Sequence, residues 1–445
     1  MRALPLIATL LLTLIVHAAA PIPPEKEQWH ALTAGEFRIY GNASEREMRN
    51  IAGDLLRMRE ALGKVTRLNV RDARPTYVFL FRNERSFAPI RDALFRQKDA
   101  AVSGAFLSGQ LANFIVLDAS TRGGGERVVY HELTHYFVRN TTPGLPLWFD
   151  EGLAEYYSTF GVSGEEVSIG RPIVAHVQWL REHPLMPMSR QFAIDMESPE
   201  YSGDSRHDSG GAFYAQSWGL VHYFLAGGDA RRQQLARFFA ALRGGKSSDE
   251  AFRSSFGSDY AALEHELRSY MKRPTMNYLK YRLDELVVPE LPAMRPVPRD
   301  ELLYVLGTMF ARNRGTDADA ETLLSEALRL NPANAEAQAG LGYVKGMRGD
   351  RAGANVHFEK AVSLGSRDAA VYLLYGSSLV EGDPSDADNL RARQLFERAV
   401  QLDANDARAW AGVGMTYVGA KGDVAPGIAA LEKSLSSPPR RTTSR

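Results

Sequence analysis

A pattern that occurs four times in the C-terminal third limits what this chain can fold into more than any other feature. Leu324-Ser-Glu-Ala-Leu-Arg-Leu330 recurs 34 residues on as Phe358-Glu-Lys-Ala-Val-Ser-Leu364. It recurs 38 residues further as Phe396-Glu-Arg-Ala-Val-Gln-Leu402, and in weaker form as Leu431-Glu-Lys-Ser-Leu435. The longer interval is filled by EGDPSDAD, and Gly307, Gly342, Gly376 and Gly414 fall in step with the copies. Small residues let two helices approach, and the recurring large ones fill the seam between them. One such helical pair cannot bury its apolar face alone, so the units must stack. The expectation is an all-α array of about four units over residues 298–436.

A period near 34 with two helices per unit resembles tetratricopeptide (TPR) repeats. The resemblance implies a solenoid whose concave face takes a peptide or protein partner. Residues 437–445, SPPRRTTSR, are expected to be a disordered tail.

The first part of the chain reads differently. Arg2, an apolar run from Leu4 to Val16 broken only by Pro5, Thr9 and Thr13, and the small residues Ala18-Ala19-Ala20 read as an export signal over residues 1–20. No cysteine follows it, so a lipoprotein anchor is excluded. The expected place is the periplasm or the exterior, with membrane contact only during export. Glu36 to Tyr40, Thr76 to Phe81 and Asn113 to Leu117 are β-rich runs. Ser44 to Leu62 is helical, with Ser44 as N-cap and Ile51, Leu55, Met58 and Leu62 on one face. Helices are expected again over residues 126–139, from Pro146 through Tyr157, and over 212–226 and 230–242. Strands followed by helices give an α+β domain over residues 21–285. Pro289, Pro292, Pro296 and Pro298 then suggest a semi-rigid linker over 286–297.

Composition closes several chemistries. Lysine plus arginine and aspartate plus glutamate both number 53, so no global charge draws the chain to nucleic acid. The absence of cysteine rules out thiolate ligands and a cysteine nucleophile, leaving any metal to histidines and carboxylates. There is no serine-nucleophile elbow and no phosphate-binding glycine loop.

One motif carries chemistry plainly: His131-Glu132-Leu133-Thr134-His135. On a helix, positions i and i+4 share a face, so both imidazoles can take adjacent sites on one zinc ion. The intervening Glu132 lies beside the metal, where it can act as general base. A third protein ligand is then needed, and Trp148-Phe149-Asp150-Glu151-Gly152-Leu153-Ala154-Glu155-Tyr156-Tyr157 offers carboxylates downstream.

Together HELTH and WFDEGLAEYY resemble the glu-zincin metallopeptidases, most closely over residues 126–157. The resemblance implies a zincin-like α+β fold, with Zn2+ held by His131, His135 and Glu151. It implies peptide hydrolysis by a zinc-activated water, with Glu132 as base. The interval between His135 and Glu151 is shorter than is usual in that family, which leaves Glu155 as the alternative ligand. If Glu151 binds zinc, Glu155 is placed to hydrogen-bond His131 or His135 from outside. Asp150 is expected to serve the helix N-terminus, and Trp148 and Phe149 the core. In such families a tyrosine or histidine from a later helix steadies the oxyanion. Tyr214 is the candidate here, with His222 or His207 behind it. The polar run Ser202 to Gly211 reads as a flap over the cleft. The rival reading makes the repeats the working part and the peptidase-like domain catalytically silent.

Overall fold

A computed structural model of the protein describes residues 20–66, 75–95, 103–107, 112–120, 125–141, 144–202, 210–282, 284, 286, 288–313, 315–418 and 424–436. The expected signal up to residue 19, His207 and the C-terminal tail lie outside these residues.

Strands β1 (His30–Ala34) and β2 (Phe37–Gly41) pair antiparallel, and α1 (Glu45–Thr66) leads from β2 to β3 (Thr76–Phe81). Ser44 caps α1: its main-chain N–H and hydroxyl donate to Glu47 Oε2, and Glu47 N–H donates back to Ser44 Oγ. After α2 (Glu84–Phe95) come β4 (Gly104–Leu107) and β5 (Asn113–Asp118), an antiparallel pair. Then follow α3 (Gly125–Thr141), α4 (Leu147–Ser158), and the strands β6 (Gly161–Ser163) and β7 (Glu166–Ile169). A helical layer continues with α5 (Val174–Glu182), α6 (Met188–Ala193), α7 (Pro199–Ser202), α8 (Gly210–Ala226), α9 (Asp229–Arg243), α10 (Ser248–Phe256) and α11 (Tyr260–Met271). Strand β8 (Leu279–Arg282) joins β7 and β6 in a small sheet, and β9 (Arg295–Pro296) joins the main one.

The main sheet runs β4-β5-β3-β2-β1-β9, with β2, β3 and β5 parallel. Its central strands are apolar on both faces, the pattern of strands covered on both sides. Val78, Leu80, Ile115 and Leu117 face one core with Leu55, Leu62, Leu133, Phe137 and Trp148. Phe79, Phe81, Phe114 and Val116 face a second core with Phe87 and Ile90 of α2.

The repeats complete that second core. Helices α12 (Arg299–Ala311) and α13 (Asp317–Leu330), α14 (Ala335–Met347) and α15 (Arg351–Ser363), α16 (Ala369–Leu379) and α17 (Asp386–Leu402), and α18 (Ala407–Met415) and α19 (Ala425–Ser436) pack as four pairs. In each pair the glycine of the first helix meets the recurring large residue of the second. A Cβ on Gly307 would lie 2.8 Å from Leu324, on Gly342 2.7 Å from Phe358, on Gly376 2.8 Å from Phe396 and on Gly414 2.5 Å from Leu431. Leu303, Leu306, Met309 and Phe310 of α12 are buried against the sheet's second face.

Residues 286–297 therefore are not a free linker. Leu286 is buried in the first core, and Val288, Leu291 and Met294 pack against it. Arg295 and Pro296 then pair with Ala31 and His30 as the sheet's last strand. The prolines suit an edge strand, whose outer side needs no ladder hydrogen bond. The chain is thus a mixed α/β region followed by an all-helical region, joined through one shared core. Among the described residues no helix is long and apolar enough to cross a membrane.

Candidate metal centre

Helix α3 presents its histidines because its other residues are fixed from behind. Val129, Tyr130, Leu133 and Phe137 are buried in the first core, which leaves His131 and His135 turned toward α4. Helix α4 is anchored by Trp148, whose ring lies 4.6 Å from that of Phe192 and is fully buried, and Phe149 is buried beside it, so both are core residues as expected. Gly152 lets α4 meet α8 at backbone distance: a Cβ there would stand 2.3 Å from the Ser217 carbonyl oxygen.

Between α3 and α4, three donor atoms converge. His131 Nε2 and His135 Nε2 are 3.1 Å apart, and each lies 3.3 Å from Glu151 Oε2. Four ligands set tetrahedrally about 2.0 Å from a zinc ion are separated from one another by about 3.3 Å. The triangle has the edges of such a site, with one vertex left open. Without a cation, protons on the imidazoles must be shared with the Glu151 carboxylate. A shared cation satisfies all three, so the residues present fit zinc.

Three further side chains hold these ligands. Asp150 Oδ1 lies 3.0 Å from His135 Nδ1. Glu155 Oε1 lies 3.5 Å from His131 Nδ1, while its Oε2 receives Arg127 at 3.2 Å and lies 3.4 Å from His176 Nε2. The Tyr201 hydroxyl donates to Glu151 Oε1 at 2.9 Å. A carboxylate on the far nitrogen of an imidazole fixes its tautomer and leaves the near nitrogen as a lone-pair donor.

Burial by itself would push the imidazoles toward neutrality. For His131 the hydrogen-bonding carboxylates of Glu151 and Glu155 outweigh it and raise the pKa to about 10. For His135 burial is outweighed in the same sense by Asp150 and Glu151. Burial likewise opposes ionisation of Glu151 and Glu155, yet the facing imidazoles hold both below the usual carboxylate range. A cation entering the cluster must displace protons from the imidazoles, so metal binding and proton release are coupled here.

The placement of the expected residues is mixed. His131, His135 and Glu151 come together, and Glu155 stands behind His131. Asp150 stands in the first turn of α4, as expected, and there also meets His135, because the crossing of α3 and α4 brings their side chains into register. Glu132 is half-buried on α3. Tyr214 packs its ring beside that of Tyr201, with centroids 6.3 Å apart. His222 belongs to the core. Its Nε2 donates to the Gly170 carbonyl at 3.1 Å, its Nδ1 accepts from the Tyr270 hydroxyl at 2.8 Å, and burial pushes its pKa down to about 4. Tyr201 of α7 and His176 of α5 carry no signal in the sequence, since only the packing of these helices on α8 brings them here, whereas Arg127 lies on α3 itself, one turn before His131.

Residues 59–273 match the family model of the Peptidase MA superfamily, a span that contains α3, α4 and α8. A TPR repeat-containing protein of Pseudomonas aeruginosa is 41% identical over 111 residues, which are 24% of this chain and 42% of that protein. The alignment thus spans less than half the length of that relative. Among solved structures, a crystal structure of MamA is 24% identical, covers 31% of this chain and 77% of its own, and has a TM-score of 0.27. A MamA double mutant is 20% identical over 47% of this chain and 94% of its own, with a TM-score of 0.26.

Proposed function

We propose that the chain is an exported zinc-dependent metallopeptidase, with His131, His135 and Glu151 as metal ligands and Glu132 as general base. The observation that carries this reading is the triangle of two imidazole nitrogens and one carboxylate oxygen with edges of 3.1 and 3.3 Å. When bound, zinc supplies Lewis acidity, acidifying water and polarising a carbonyl oxygen. Glu132 accepts the proton of the attacking water and delivers it to the nitrogen of the leaving amine. Asp150 and Glu155 keep the two imidazoles oriented. Tyr214, whose ring lies beside that of Tyr201, is the proposed hydroxyl donor to the developing oxyanion. Strand β4 borders α3, and its outer side has no strand partner among the described residues. An extended peptide can therefore add there through main-chain hydrogen bonds. The TPR-like array is proposed to recruit the protein to be cut.

The test is metal content and turnover together. The purified chain should carry about one zinc, lost in His131→Ala. Glu132→Gln should keep the zinc and lose hydrolysis by about a thousandfold. A wild-type chain that takes up no zinc when supplied with it would overturn the reading in favour of a silent domain on a repeat scaffold. Normal turnover by Glu132→Gln would overturn the mechanism.

A further inference from the structure

The carboxyl ends of β2 and β3 border a cavity of about 760 Å³ that shares no residue with the metal centre. The chain leaves β2 for α1, which packs in the first core, and leaves β3 for α2, which packs in the second. Loops that part to opposite faces of a parallel sheet leave a crevice between them, and ligands of open α/β sheets bind in such crevices. Residues from Pro21 to His30 supply a further wall. That segment is fixed by the chain around β9 and α12. The Val297 N–H donates to the Trp29 carbonyl at 2.9 Å, and Arg299 donates to the Pro23 carbonyl at 2.9 Å. The volume is that of a site for a small organic molecule.

Two buried donors among the lining residues lack an acceptor. Asn42, directly after β2, is 8% exposed, and its Oδ1 accepts from the Arg82 N–H at 2.7 Å. That bond fixes the amide, since the flipped form would set two donors against each other. Asn42 Nδ2 is then a donor with no acceptor among the described residues. Trp29 is 3% exposed, and its indole N–H likewise finds none. Buried polar groups are as a rule paired. The charged lining is positive, with Lys26, Arg82 and Arg85 against Glu27. Glu27 lies 4.0 Å from Arg82, which leaves Lys26 and Arg85, both exposed, without an acid partner among the described residues. Glu84, beside Arg85 in the chain, is held by Arg91, and Glu25 lines a neighbouring cavity with Arg299. Trp29, Phe81, Pro89 and Ile90 add apolar surface to the same cavity.

We propose that this cavity binds a small organic anion, an apolar body that carries one carboxylate or phosphate group. Lys26 and Arg85 attract the charged group, and Asn42 Nδ2 donates to an acceptor oxygen of the ligand. A bare ion needs neither the volume nor the apolar walls. A cation would meet like charge, and a neutral molecule would make no use of Lys26 and Arg85. The site goes beyond the peptidase reading and does not depend on it.

The experiment is calorimetric titration of the full-length protein with four probes: naphthalene-2-carboxylate, 2-naphthyl phosphate, the neutral naphthalene-2-carboxamide and inorganic phosphate. At least one aryl anion is expected to bind with a Kd below about 1 mM, and at least about fivefold tighter than the carboxamide. The tighter of the two tells whether the natural ligand is a carboxylic acid or a phosphate ester. Arg85→Gln should weaken that anion at least about threefold and Arg85→Lys should restore it. Arg85 is exposed and unpaired, so this loss does not arise from misfolding. Asn42→Asp keeps the shape and the acceptor for the Arg82 N–H but removes the donor, and should abolish binding. His131→Ala, which strips the metal centre, should bind the anion as the wild type does. The proposal is overturned if neither aryl anion binds at about 1 mM, or if the carboxamide or inorganic phosphate binds as tightly. It is equally overturned by unchanged affinity in Arg85→Gln or in Asn42→Asp. Loss of binding in His131→Ala would place the anion at the metal centre and overturn it as well. Failure of hydrolysis by the wild-type protein would strike the peptidase reading and leave this result standing.

Discussion

Asp150 and Glu151 are neighbours on α4 yet serve opposite sides of one imidazole, Glu151 at its Nε2 and Asp150 at its Nδ1. The proposed metal site therefore depends on residues that need not touch the metal. Asp150→Ala should leave the ligands in place but free the His135 ring, and zinc affinity should fall about 10- to 100-fold. Competition with a chromophoric chelator measures this, and an unchanged affinity would remove Asp150 from the site. HELTH was legible because i and i+4 share a helix face whatever the fold. The role of Asp150 was not, because the helical position of a residue does not say which neighbouring helix will cross it.

At the scale of elements, the distance between α4 and α8 decides where Glu151 stands. Alanine is a better helix former than glycine by about 1 kcal/mol, so on propensity alone Gly152→Ala should stabilise the protein. The new methyl, however, would lie 2.3 Å from the Ser217 oxygen and 2.7 Å from Val221 Cγ2. Overpacking a tight core costs about 1–3 kcal/mol and shifts the backbone, so the clash wins. Gly152→Ala is expected to lower the melting temperature by a few degrees and to weaken zinc binding with it. A variant that melts higher would show that the helices can part freely. The glycines of the repeats, by contrast, were readable in the sequence. Each meets its large partner within its own helical pair, so Gly342 and Phe358 are locked by a local rule.

For the whole molecule, the second face of the sheet is the decisive feature. Phe79, Phe81, Phe114 and Val116 are at most 1% exposed, and α12 of the first repeat covers the same core. Burying one such side chain contributes about 2 kcal/mol, and a domain has only about 5–15 kcal/mol in total. Removing residues 298–436 should therefore do more than disconnect a binding arm. The shortened chain is expected to aggregate or melt far below the intact one, and to lose hydrolysis of small peptides along with that of proteins. A soluble truncation with full small-peptide activity would show that α2 alone can cover this face. The pattern TYVFLF, apolar at every position after its threonine, already signals a strand covered twice. It does not say that the second cover comes from more than 200 residues away.

What the sequence determined by itself follows from periodicity and local spacing. The four helical pairs, the pairing of glycine with leucine or phenylalanine inside each, the ends of β3, the start of α1, and the presentation of His131 and His135 on one helix face all rest on contacts within a few turns of chain. What only the tertiary structure decided rests on meetings of elements that no local rule fixes. The prolines of 286–297 read as a linker, yet their partners are β1 and the first core. Tyr201 reaches Glu151 across 50 residues of sequence. Local structure is set by the conformational preferences of adjacent residues. A site assembled between elements is set by how their buried faces pack, and that is a property of the whole fold.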